Sequence, residues 1–169
     1  MNDYWKEVSD KPSPVSAAAD KFLVPTNQKL GRQVTTAAGW MWTIAALSAV
    51  NLILNYVHAP IRMVLSFFTS EIIFSIGYEM NPIVLGVALF VDAVIFGFLV
   101  LLGFQIKSWR TWAYIASIAL VVLDAVLIYF TTTLAGLWPF LLHGFAIYFL
   151  VMGSKAARIL NQRKAAGQA

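Results

Sequence analysis

Apolar residues along this chain gather into four runs, each within the range of about 17–25 residues that a membrane-spanning helix takes. The first reads VTTAAGWMWTIAALSAVNLILNYV, residues 34–57. The second begins at NPIVLG and covers about 82–104, with Asn81 suited to a helix N-cap and Pro82 to the first helical position. The third covers about 111–130 and ends at the polar turn TTTLAG. The fourth, about 138–154, opens on LWPF, where Pro139 again suits a first turn. Trp40, Trp42, Trp109, Trp112 and Trp138 fall near the expected span ends, at the headgroup level that indole rings favour.

One stretch breaks the pattern. Between Ala59 and Met80 the chain is apolar enough for a fifth span, yet it contains Arg62, Glu71 and Glu79. A charge at the centre of a span costs about 2.5 to 3.5 kcal/mol on insertion scales. Ile61, Val64, Leu65, Phe68, Ile72 and Ile76 recur at helical spacing, which predicts an amphipathic helix over about 60–79, lying at the membrane interface. A re-entrant hairpin is the alternative. The expected fold is all-α: four transmembrane helices in an antiparallel bundle, plus one interfacial helix between spans one and two.

The positive charges choose between four spans and five. Of twelve Lys and Arg residues, the leader 1–33 holds Lys6, Lys11, Lys21, Lys29 and Arg32. The loop after span two holds Lys107 and Arg110, and the tail 155–169 holds Lys155, Arg158, Arg163 and Lys164. With four spans, eleven of the twelve fall on one side and only Arg62 on the other. The positive-inside rule then puts both termini in the cytoplasm of a multi-pass cell-membrane protein. The leader, with Pro12, Pro14 and Pro25, lacks the layout of a cleavable signal and has little apolar periodicity, so it is expected to be largely disordered.

Composition agrees: 60% of the 169 residues are hydrophobic and 12% charged, with mean hydropathy +0.74. Soluble domains carry about 25% charged residues. The net charge of +4 is explained by topology, so no nucleic-acid partner is expected. Without cysteine there is no thiolate chemistry and no Cys-ligated metal. His58 and His143 are the only histidines, and His58 stands at the end of span one, so no haem or other cofactor or metal is expected. HExxH, P-loop, GxSxG and Gly-rich dinucleotide motifs do not occur, which argues against an enzyme.

Polar residues inside the spans are the remaining candidates. Asp92 lies ten residues past Pro82, near the expected midplane, and Asp124 sits within LVVLDAVLIYF. The short turn between spans three and four makes those helices antiparallel neighbours and brings Asp124 and His143 to within about one helical turn of the same depth. Ser48, Asn51, Asn55 and His58 recur along one face of span one, approaching the same half of the membrane. A polar cluster of Asn51, Asp124 and His143 follows. Two readings stay open: interhelical hydrogen bonding that joins the bundle, or a proton-handling site of Asp92, Asp124 and His143 in a small transporter or channel subunit. Ala45 with Ala49, Ala93 with Gly97, and Ala113 with Ser117 are small-xxx-small pairs that allow close helix approach, within the bundle, in a homo-oligomer or against another membrane protein. The only other expected partner is the lipid bilayer.

The segments WAYI (112–115), LDA (123–125) and HGFAIY (143–148) give the chain a resemblance, over spans two to four, to a loose group of small bacterial four-span membrane proteins without an assigned activity. The resemblance implies an inner-membrane location and adds no mechanism.

Overall fold

A computed structural model of the chain describes residues 25–59, 67–131 and 137–168. Among them are five helices: α1 (Asn27–Tyr56), α2 (Phe68–Met80), α3 (Pro82–Lys107), α4 (Thr111–Thr131) and α5 (Leu137–Ala165). The all-α architecture and its four long apolar helices are as expected, and α1, α3, α4 and α5 are each long and apolar enough to cross a membrane. This is the constitution of a multi-pass membrane protein.

Several helix ends are set by local chemistry. Thr26 caps α1, its hydroxyl oxygen accepting the Lys29 N–H at 3.3 Å. The Asn81 side chain accepts the Ile83 and Val84 N–H groups at 3.0 Å each, with Pro82 next in line. Where α1 stops, the Ala59 N–H reaches the Leu54 carbonyl and the His58 N–H reaches that of Asn55, with His58 in the left-handed region at φ 55°. This is a Schellman turn. The same turn ends α3 around Trp109, at φ 62°, and redirects the chain into α4. A non-glycine residue in that region costs roughly 1–2 kcal/mol, so both turns rely on their surroundings.

Two helices outrun the apolar runs that predicted them. The first begins at Asn27 rather than 34, so residues 27–33 of the expected leader form the opening turns of α1. The last continues to Ala165, so most of the basic tail is helical. Hydropathy marks where a helix leaves lipid, and backbone hydrogen bonding does not stop there. Residues 1–24, the start of the 60–79 segment and most of the TTTLAG turn lie outside the described residues.

In the bundle, α1 packs against α3 and α5, α5 also against α4, and α2 mainly against α3. One end collects the start of α1, the α3–α4 connection and the end of α5. There Arg163 donates to the Asn27 side chain at 2.5 Å and Asn161 to the Trp109 carbonyl at 3.2 Å. Close approach depends on small residues. A Cβ on Gly153 would stand 2.5 Å from that of Ala37 and 3.1 Å from the Tyr114 ring. On Gly103 it would run into the Trp42 indole, and that indole donates its N–H to the Val100 carbonyl at 3.3 Å. Trp42 is therefore wedged against α3 as well as standing near a span end.

The helix α2, at 13 residues, is only about two-thirds of a span long. Its contacts with α1 advance in step: Phe67 meets Ser48, Glu71 meets Asn51, and Tyr78 meets His58. The two helices thus run parallel over the last ten residues or so of α1, roughly 15 Å. α1 ends at Tyr56, so the first turn of α2 lies about ten residues back along α1 from its C-terminal end. Helical character between spans one and two is as expected, and the first turn of this helix is packed among α1 and α4. After Met80 the chain reverses at Asn81, and Gly77 packs so tightly on α3 that a Cβ would lie 2.6 Å from that of Ala88.

Candidate functional site

A helix that begins inside a bundle must find partners for its first N–H groups there, because no water is at hand. The N-cap residue of α2 is Phe67, which has no side-chain acceptor. Neighbouring helices supply them. The Phe67 N–H donates to Ser48 Oγ of α1 at 2.6 Å, while the Ser48 hydroxyl donates back to the Ile44 carbonyl at 2.7 Å. The next two are taken by Asp124 of α4: the Phe68 N–H reaches Oδ2 at 3.0 Å and the Thr69 N–H reaches Oδ1 at 2.9 Å. The Thr69 hydroxyl adds a third donor to Oδ1 at 2.9 Å. A carboxylate in this position also suits the positive end of the helix dipole.

The fourth partner of Asp124 is His143 of α5, whose Nε2 lies 2.9 Å from Oδ2. Its Nδ1 lies 2.7 Å from the Pro139 carbonyl. A carbonyl only accepts, so Nδ1 carries a hydrogen. The Nε2–Oδ2 contact then holds one more, and wherever it sits the pair is neutral as a whole. Three other donors converge on the same two oxygens. Asp124 and His143 are 0% and 1% exposed, so the pair is sealed within the protein.

Of the expected cluster, the structure brings Asp124 and His143 together. Asn51, equally buried, instead donates its side-chain N–H to Glu71 in the first turn of α2. That turn lies between the residues the sequence grouped. Asp92 of α3 is fully buried too, and among the described residues neither of its oxygens has a hydrogen-bond partner. Ser70 of α2 stands beside it, outside hydrogen-bonding geometry. Sequence reasoning missed Ser48 as an acceptor and Thr69 as a donor. The signal that could have found them was Phe67 itself: a helix start without Ser, Thr, Asp or Asn at the cap needs one from elsewhere.

Toward the far ends of α1 and α2 the polar stripe opens into a cleft of about 200 Å³ lined by Asn55, His58, Glu71, Ser75, Tyr78 and Glu79, with Phe74. His58 and Tyr78 close one side, Nε2 to hydroxyl at 2.9 Å. Asp92, Asp124 and His143 do not line it. Among the described residues, no three His, Asp or Glu side chains come together in a way that could hold a metal ion. No family model, curated protein or solved structure matches the chain. The functional reading therefore rests on this geometry.

Proposed function

We propose that the chain is a non-catalytic integral membrane protein that works by association with another membrane-embedded protein or a second copy of itself, with the Asp124–His143 pair as the internal fastening of its re-entrant helix. The observation that carries this is the saturation of Asp124. Four donors fill one sealed carboxylate, which leaves it no free valence for a substrate. The surface for association is α3. Only 17% of its apolar stretch is buried inside the bundle, against 33–39% for the other three spans. Ile83, Phe90 and Val94 are largely exposed along it, as are Ala93 and Gly97. In this reading the eight cations from Lys29 to Lys164 gathered at one end face the cytoplasm, together with both termini of a cell-membrane protein.

The test uses the lack of native cysteine. Cys at Ala93 or Gly97, oxidised in native membranes, should give a disulfide-linked dimer or a defined heterodimer, whereas Cys at Ile115 on exposed α4 should not. Equal cross-linking at both helices, or none at either, would sink the association reading.

Asp92 favours a second reading, a small proton-linked transporter or channel subunit. A buried carboxyl group with no hydrogen-bond partner among the described residues is costly to keep in a span, and such groups typically mark a pathway. Reconstituted protein that carries a proton flux abolished by Asp92→Asn, with the fold intact, would establish that reading over the first.

A further inference from the structure

At the basic end of the bundle, a groove of about 250 Å³ lies between α1 and α5, lined by Lys29, Arg32, Gln33 and Thr36 of α1 and by Tyr148, Phe149 and Met152 of α5. The α1 residues fall at helical spacing on one stripe, which Trp40 continues. Trp40 stacks on Phe149, with ring centroids 5.6 Å apart and planes 17° from parallel. Along the roughly 16 Å from Lys29 to Trp40, the walls pass from cationic through hydroxyl to aromatic and apolar. Tyr148, 57% exposed, leaves the apolar end open to the surrounding lipid.

The charge is unbalanced. Neither α1 nor α5 contains a single Asp or Glu over its whole length, while together they carry Lys29, Arg32, Lys155, Arg158, Arg163 and Lys164. The two cations at the groove mouth therefore have no carboxylate on either wall. A ligand that complements these walls has an anionic head and an apolar body, joined over the distance that separates Lys29 from Trp40. We infer that the groove binds an anionic phospholipid, with its phosphate between Lys29 and Arg32 and an acyl chain along Trp40 and Phe149. Inorganic phosphate would satisfy only the mouth, and a zwitterionic lipid would bring its own cation to two others.

The test is native mass spectrometry of the purified full chain, released from micelles containing equal amounts of phosphatidylglycerol and phosphatidylcholine. The protein should retain one phosphatidylglycerol in preference. Lys29→Gln/Arg32→Gln should lower that preference on the order of tenfold, as expected for removing two basic residues that meet an anionic headgroup. Lys155→Gln/Arg158→Gln, which removes the same charge outside the groove, should change it less than twofold. Thr36→Trp, which fills the groove and keeps both cations, should also abolish retention, so the proposal stays testable should the charge variant fail to fold. Millimolar inorganic phosphate should not displace the lipid. Equal losses in the two charge variants would reduce the effect to general electrostatics and overturn the site. Undiminished retention in Thr36→Trp, or displacement by phosphate alone, would overturn it too.

Discussion

Replacing Asp124 by leucine removes one acceptor from four donors at once. The Phe68 and Thr69 N–H groups, the Thr69 hydroxyl and His143 Nε2 all point at its two oxygens within 3.0 Å. At the membrane average of about 0.6 kcal/mol per hydrogen bond, the loss is at least about 2.4 kcal/mol. Orphaned buried donors cost about 1–3 kcal/mol each where nothing relaxes to meet them, so about 3–5 kcal/mol is expected for Asp124→Leu. His143→Leu leaves the carboxylate its three other donors and should cost less, about 1–2 kcal/mol. The double variant no longer strands the imidazole, so the two effects should be coupled by about 1 kcal/mol or more. Asp124→Asn is the informative near-isostere. Its carbonyl can serve Thr69, but its amide hydrogens would confront the Phe68 N–H, so it should behave more like leucine than its shape suggests. Unfolding of each variant in mixed micelles by rising dodecyl sulfate fraction gives the energies. Amide exchange at Phe68 to Ser70 reports whether α2 has come loose. Additivity within about 0.5 kcal/mol, or unchanged exchange in the first turn of α2, would refute the capping argument.

Glycine contacts offer a second test: Gly103→Ala drives a methyl into the Trp42 ring and Gly77→Ala drives one into Ala88, and each should destabilise by about 1–3 kcal/mol in the same unfolding assay, whereas Gly97→Ala, with nothing within 4 Å, should not. Orientation can be read by impermeant thiol labelling of intact cells. Cys at Gln28, Ser108 or Gln162 should be protected, and Cys at the exposed Met80 should react; labelling at Gln162 would reverse the assigned sidedness. Spin labels stepped along α2 should report increasing depth toward Phe68, reaching the middle of the bilayer, while uniformly shallow depth would return the helix to the interface.

The spans were legible because about twenty successive residues, nearly all apolar, suit little besides a helix that crosses a membrane. The Asn81–Pro82 start was legible because both side chains act on their own backbone. The Asp124–His143 contact was legible from geometry alone, since a short turn forces spans three and four together. The partner of Asn51 was not, because it depends on where Glu71 lies, and that depends on α2. A hydrophobic stripe with Glu71 and Glu79 on its flanks looks the same whether water or Asn51 receives the charge. What separates the two cases is a cap donated from 55 residues away, and no local pattern encodes such a distance. The stripe of Ser48, Asn51, Asn55 and His58 was seen as a face but not as the track on which another helix lies.

The arrangement also has a consequence in time. Ser48 leaves the ribosome before α2, but the aspartate that receives its next two amides follows 56 residues after Phe68. At about 5–20 residues per second of synthesis, the first turn of α2 waits roughly 3–11 s for its acceptor, and longer for the histidine behind it. During that wait its free amides have no place in hydrocarbon, and only water can meet them. The surface position that the sequence predicts for this segment is thus the expected resting place of an unfinished chain. A nascent chain halted after Arg110 should hold α2 at the membrane surface, exposed to soluble protease, and extension past His143 should draw it in. That outcome would mean that assembly of this bundle is completed from its C-terminal half, by the docking of a helix made long before.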